Sequence, residues 1–211
     1  MIDDTLILGK NHEKKAEFIL EEVGPIKKND KRVILVSGSS GSGKSETAFY
    51  VRQLLFKKNI YSFIISTDDY YVIPPEERDK YRRKHGLDVV GLDEIDWTSL
   101  KNNVEDFLND KPMKVFRENL SARQKEEVII DTTKLNVLII EGLFSGYIKT
   151  LFSQAYSVFL NGSPEQTLKF REKRQKENEK DEFRKQIVEK EFEIVQELKK
   201  ISDLQVAFDF L

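Results

Sequence analysis

Eight consecutive residues carry the most specific chemistry in the chain. Gly38-Ser39-Ser40-Gly41-Ser42-Gly43-Lys44-Ser45 satisfies G-x-x-x-x-G-K-[ST] without a mismatch. The glycines let the backbone bend so that successive N–H groups point inward at one anion. Lys44 brings a positive charge to the β- and γ-phosphates, and Ser45 offers a hydroxyl to Mg²⁺. A helix opening directly behind the loop adds the positive end of its dipole. The candidate ATP contacts are therefore Gly38, Ser39, Ser40, Gly41, Ser42, Gly43, Lys44, Ser45 and Glu46. Gly38, Gly41 and Gly43 are spaced G-x-x-G-x-G, the reverse of the dinucleotide order, so the loop reads as a triphosphate site.

Carboxylates follow two apolar runs. Phe63-Ile64-Ile65 leads into Ser66-Thr67-Asp68-Asp69-Tyr70-Tyr71, and Val137-Leu138-Ile139-Ile140 leads into Glu141-Gly142. In a doubly wound sheet the strand C-termini line the ligand crevice, which turns these acids toward the phosphate loop. Asp68 is placed to accept a proton from an attacking hydroxyl, as phosphoryl transfer to an alcohol requires. Glu141, with Ser45 and Asp68, is a candidate for holding Mg²⁺. Farther on, Arg171 and Arg174 stand one helical turn apart, spaced to neutralise charge on a transferring phosphoryl group. No Asn-Lys-x-Asp follows a strand, so a switch GTPase is not supported, although Asp88-Val89-Val90-Gly91 matches D-x-x-G by itself.

The elements that must position these groups are legible in the hydropathy pattern. Ala16, Ile19, Leu20 and Val23 recur at helical spacing from about Asn11 and stop at Gly24-Pro25. Val33–Val36 reads as a strand buried on both faces, followed by the loop and a helix through Ala48, Val51, Leu54 and Leu55. Pro74-Pro75 begins a charged, exposed helix, and Asp96-Trp97 begins one with Leu100, Val104, Phe107 and Leu108 on one face. Val128–Ile130, Val137–Ile140 and Tyr156–Leu160 read as strands, with Pro164 opening a helix. Strands alternating with helices predict an α/β fold with a doubly wound parallel sheet.

The segment 169–200 is densely charged, with i,i+4 pairs at Glu172→Lys176 and Asp181→Lys185. Phe183, Ile187, Val188, Val195, Leu198 and Ile201 give its second half an apolar stripe for docking. Residues 171–181 lack one and are expected to form a mobile lid, extending to about residue 184. The expected organisation is an N-terminal helical extension, 1–31, and a catalytic domain, 32–211. The N-terminal helix either packs on the core or forms a contact in a homo-oligomer.

Composition bounds the alternatives. The 211 residues hold 35 Lys and Arg against 37 Asp and Glu, a net charge of −2, which argues against a nucleic-acid-coating protein. There is no cysteine, hence no disulfide, thiolate metal site or cysteine nucleophile. No run of 18 apolar residues spans a membrane, and the N-terminus lacks the pattern of a secretory signal. A cytoplasmic enzyme is the expectation.

Phosphate loop, strand-end Asp-Asp-Tyr-Tyr, strand-Glu-Gly and Arg-x-x-Arg, in that order over residues 32–205, resemble the uridine kinase/phosphoribulokinase family of P-loop kinases. The resemblance implies Mg-ATP-dependent phosphorylation of a small-molecule primary hydroxyl, the 5′-hydroxyl of uridine or cytidine foremost. It puts the catalytic base on Asp68, an acceptor-side aromatic on Tyr71, and the lid arginines on Arg171 and Arg174; the adjoining strand-end carboxylate Asp69 is a further candidate acceptor contact. Two stretches depart from the family. Where uridine kinases carry Asp-His-Pro-Asp this chain has Val90-Gly91-Leu92-Asp93, keeping only Asp93 unless Asp88 substitutes. Their Tyr-Asp-Phe reads approximately Glu118-Asn119-Leu120, and no base-recognising His is nearby. Phosphotransfer machinery carries over better than base recognition, and related kinases act on nicotinamide riboside, pantothenate or ribulose phosphate. Two rivals stand beside the kinase reading: a nucleotide-binding regulator without catalysis, and an ATPase driving a partner protein.

Overall fold

A computed structural model describes residues 6–119, 124–174 and 178–210; of residues 117–119, 124, 125 and 174 it describes the backbone only. Five parallel strands form the central sheet: β1 (Arg32–Gly38), β2 (Ser62–Ser66), β5 (Val137–Glu141), β6 (Tyr156–Leu160) and β7 (Leu204–Val206). Their order is β2-β5-β1-β6-β7, so the chain reverses direction around β1 and opens a crevice at its carboxyl end. The period-2 alternation of β1 explains its unbroken apolar run. Val33 and Leu35 enter one core with Leu138, Ile140 and Phe159, while Ile34 and Val36 enter the opposite core with Ile139, Val158 and Leu160.

Helices cover both faces. On one side α1 (Lys10–Val23) and α2 (Lys44–Lys57) bury Ala16, Ile19 and Leu20 with Ala48, Val51 and Leu55. The apolar face of α1 is thus taken up within the chain. On the other side α4 (Trp97–Leu108) and α7 (Glu182–Lys200) contribute Leu100, Val104, Phe107, Val195 and Leu198. Asp96 caps α4, its carboxylate accepting from Ser99 N at 3.0 Å and Ser99 Oγ at 2.6 Å. Between these lie α3 (Pro75–His85), the single turn α5 (Ile148–Leu151) and α6 (Pro164–Arg174).

Three expectations need correction. The strand at Val128–Ile130 belongs to β4 (Gln124–Ile130), which pairs antiparallel with β3 (Met113–Asn119) in a separate two-stranded sheet. Only six residues separate β4 from β5, whereas a parallel crossover takes a dozen or more, so β4 does not join the main sheet. Glu118 and Asn119 end β3, and Leu120 lies outside the described residues.

Second, residues 171–174 belong to helix α6. Arg171 is 8% exposed and held by polar contacts, which an apolar stripe does not report. The Glu172→Lys176 pair falls on a residue outside those described.

Third, Asp181 does not pair with Lys185. It caps α7, accepting from Arg184 N at 2.9 Å, and also meets Arg83 at 3.1 Å, while Lys185 turns to Glu182. Ile201, at the C-cap of α7, is 40% exposed and leaves the stripe. Among the described residues no helix is long and apolar enough to cross a membrane.

Candidate active site

At the carboxyl end of the sheet, the loop between β1 and α2 wraps back over the strand ends. Gly41 and Gly43 adopt φ of +82° and +86°, the left-handed region that side chains resist. Space is tight as well. A Cβ on Gly41 would lie 3.1 Å from Arg171 Cγ, and one on Gly43 would lie 2.7 Å from His12 Nε2. The loop is therefore pinned between α6 above and the first turn of α1 behind. Lys44 Nζ donates to Ser39 O at 2.9 Å, closing the loop on itself.

Beside the loop, Ser45 Oγ donates to Glu141 Oε2 at 3.0 Å. Glu141 is buried, which pushes its carboxyl above the usual range; the negative charge of Asp68 pushes the same way, and Ser66 and Lys44 act against both. Two carboxylates and a hydroxyl lining one cleft suit a hard divalent cation that takes oxygen ligands. Among the described residues no cluster of three His, Cys, Asp or Glu forms a cage by itself.

The run after β2 separates by a simple rule. Thr67–Tyr70 forms a 3-10 turn, whose three-residue period sets Asp68 and Tyr71 on one side. Both line an open cleft of about 710 Å³ that also takes in Ser40, Gly41, Gly43, Lys44, Ser45, Glu141 and Arg171. Tyr70 turns into the core instead, its hydroxyl accepting from Asn103 Nδ2 at 2.6 Å. Asp69 is buried and does not line the cleft. Burial drives the Tyr71 phenol far upward, with Asp68 and Glu191 adding to it, so the group stays a neutral hydroxyl.

Several expected residues stand elsewhere. Gly38, Ser39, Ser42 and Glu46 lie outside the cleft, Ser39 lining a small cavity with Thr167 and Arg171; Glu46 accepts from Ile7 N at 3.4 Å. Asp93 is exposed on a 3-10 turn outside the cleft, Val90 is buried and Asp88 is exposed. Arg171 does reach the cleft: Nη1 donates to Thr167 Oγ1 at 2.5 Å and to Pro164 O at 3.0 Å, and Nε to Glu179 at 2.9 Å. The side chain of Arg174 is outside the description.

The residues that sequence reasoning missed build the opposite wall. Arg82, 4% exposed, binds Glu94 through Nε and Nη2, both at 2.8 Å, and meets Glu191 Oε1 at 3.3 Å. Burial opposes the Arg82 charge, but Glu94 and Glu191 more than offset it and raise its pKa above the ordinary value. Glu94 also accepts from Gly91 N at 3.0 Å, so the buried acid of the 87–95 segment is Glu94, the neighbour of Asp93. One signal was available for Glu191. It occupies the helical position between Val188 and Val195 in the apolar stripe of α7, where a charge implies a buried partner. Arg78, one turn before Arg82, lays its Cζ 3.5 Å above the Tyr71 ring.

Comparison with known proteins follows the same lines. Residues 33–185 match the sequence profile of the Phosphoribulokinase / Uridine kinase family. Uridine kinases from two strains of Ureaplasma parvum serovar 3 are each 27% identical over 115 residues, 54% of this chain and 54% of theirs. The match thus spans about half the length of these curated relatives. Phosphoribulokinase from Rhodobacter spheroides superposes with a TM-score of 0.61 at 10% identity, covering 86% of this chain and 71% of that one. D-glycerate 3-kinase from Cryptococcus neoformans var. grubii serotype A gives 0.58 at 14% identity, covering 96% and 97%. At such identities the structural likeness speaks for the fold.

Proposed function

The chain belongs to the phosphoribulokinase/uridine kinase family, and from that premise we propose that it transfers the γ-phosphoryl group of ATP to a hydroxyl of a small molecule. One observation carries the reading. Asp68 lines the same cleft as Lys44, Ser45 and Glu141, so a proton acceptor and a triphosphate cradle face one space. In that space the acceptor oxygen attacks the γ-phosphorus in line, the bond to the β,γ-bridging oxygen breaks, and ADP leaves. Asp68 orients the hydroxyl and takes its proton. Lys44 and the loop amides hold the phosphates. Ser45 and Glu141, with Asp68 near, would hold Mg²⁺, which when bound neutralises phosphate charge. Arg171 and Arg174 counter charge on the phosphoryl group and exclude water.

For the acceptor, uridine or cytidine at the 5′-hydroxyl is supported by the names of the curated relatives. A second reading, an acceptor of another class, is favoured by the cleft wall. The Val90–Asp93 stretch, which the family resemblance would give to the ribose, stands outside the cleft, while arginines of α3 line it.

The test is phosphate transfer from Mg-ATP to uridine, cytidine, D-glycerate, pantothenate and ribulose 5-phosphate, with Asp68→Asn alongside. Transfer to one acceptor, reduced about 10²-fold or more in the variant with ATP binding retained, is the expected result. ATP binding with no acceptor phosphorylated, or a variant as fast as the parent, would overturn the reading.

A further inference from the structure

Six cationic side chains line the cleft: Lys44, Arg78, Arg82, Arg83, Arg171 and Arg184. Five are engaged by the protein itself. Lys44 holds the Ser39 carbonyl, Arg82 holds Glu94 and Glu191, and Arg83 holds Asp79 and Asp181. Arg171 and Arg184 both meet Glu179, at 2.9 and 3.6 Å. Arg78 differs. Among the described residues no carboxylate pairs with it, its one hydrogen bond is a long contact from Nη2 to Ile73 O at 3.4 Å, and its buried Nε–H has no acceptor. Its guanidinium carbon instead sits 3.5 Å from the centre of the Tyr71 ring, in the cleft that Asp68 also lines.

This arrangement has a chemical consequence. A guanidinium fixed in position but lacking an oxyanion is prepared for a ligand, because its planar fork matches a carboxylate or phosphate bidentately. Asp68, Glu141 and Glu191 line the same cleft and would repel a negative ligand. An anionic acceptor therefore needs a cation with free donors on its own side of the cleft, and Arg78 supplies one.

We propose that the acceptor carries an oxyanion, a carboxylate or a phosphate, in addition to the hydroxyl that is phosphorylated, and that Arg78 binds it against Tyr71. The inference rests on the transferase reading and narrows its acceptor. Neutral nucleosides lack the group, and a cationic acceptor such as nicotinamide riboside is repelled by it.

Equilibrium binding separates the two claims, since it needs no turnover. Protein saturated with Mg²⁺ and a non-hydrolysable ATP analogue is titrated in a calorimeter with matched pairs: D-glycerate and glycerol, pantothenate and pantothenol, ribulose 5-phosphate and ribulose, with uridine as a further ligand. The expected result is one anion binding at least 10-fold more tightly than its neutral mate. Arg78→Gln should remove that advantage and leave the neutral mate unchanged. Arg78→Lys, which keeps the charge and loses the fork, should restore part of it, and this variant guards against a folding defect in the first. Glycerate and ribulose 5-phosphate tell a carboxylate from a phosphate. Equal binding within every pair, tighter binding of uridine than of any anion, or an anion bound equally by Arg78→Gln would overturn the inference. An anion bound through Arg78 but not phosphorylated from Mg-ATP would leave Arg78 an anion site and overturn both its assignment to the acceptor and the transferase reading.

Discussion

The two ends of the cleft are built on different principles. The phosphate end is nearly contiguous in sequence: residues 38–45 bend over the end of β1, and Glu141 arrives from the neighbouring strand in register with Val36. Its parts are held by backbone conformation and two short side-chain bonds. The end proposed for the acceptor is assembled from four distant segments, the 68–71 turn, α3, the 87–95 segment and α7, and is held by charge: Arg82 between Glu94 and Glu191. A phosphate is the same in every triphosphate, so backbone suffices to bind it. A particular acceptor has to be told from others, and side chains from separate segments vary independently.

Substitutions can break this contrast. At the acceptor end, Arg82→Met leaves Glu94 and Glu191 buried without their counter-charge, and breaking a buried pair this way costs about 3–5 kcal/mol. Urea denaturation should show it as a lower midpoint with an unchanged slope. The triple variant Arg82→Met, Glu94→Leu, Glu191→Leu should regain most of that stability and still lack the charged wall. At the phosphate end the effect should fall on rate instead. Lys44→Ala removes the charge proposed to hold the phosphates and should lower the transfer rate on the order of 10²–10³-fold with little change in melting temperature. A Lys44 variant that unfolds, or an Arg82 variant as stable as the parent, would mean that the ends are not divided in this way.

The same division sets what could be read beforehand. The strands of the parallel sheet were legible because Val33–Val36 and Val137–Ile140 must be buried on both faces, which leaves no polar alternation. The phosphate loop was legible because its spacing and its chemistry coincide within eight residues. The acceptor wall was not. Arg78 and Arg82 sit in a helix that reads as fully solvated, since a charged residue looks the same in sequence whether it meets water or Glu94. Asp69 reads as a cleft residue because the 3-10 period that turns it inward leaves no trace in residue type. Asp93 rather than Glu94 matches the motif by position, whereas burial of Glu94 depends on α3 arriving from elsewhere.

The support behind the phosphate loop gives a subtler test, because it too is long-range. Gly43→Ala combines a left-handed φ, which costs an alanine about 1–2 kcal/mol, with the approach to His12. His12→Ala should recover the steric part and leave the φ part, giving a double-mutant coupling of about 0.5–1 kcal/mol in denaturation. Full additivity would show that α1 does not brace the loop.

The smallest effect lies one turn farther along α1. Lys15 is 2% exposed, and its Nζ donates to Phe208 O at 2.9 Å. The Phe208 ring in turn meets Phe170 of α6, the helix that carries Arg171. Burial lowers the Lys15 pKa below the ordinary lysine value, and Asp209 opposes this in part. Between the lowered folded value and the ordinary one, the unfolded chain binds the proton that the folded chain has lost. Stability from this group therefore rises with pH across that alkaline window and is flat below it. Lys15→Met abolishes the titration, so parent-minus-variant stability should climb as pH rises toward the ordinary lysine value. A flat difference would place the ammonium in solvent and detach α1 from the brace behind the phosphate end.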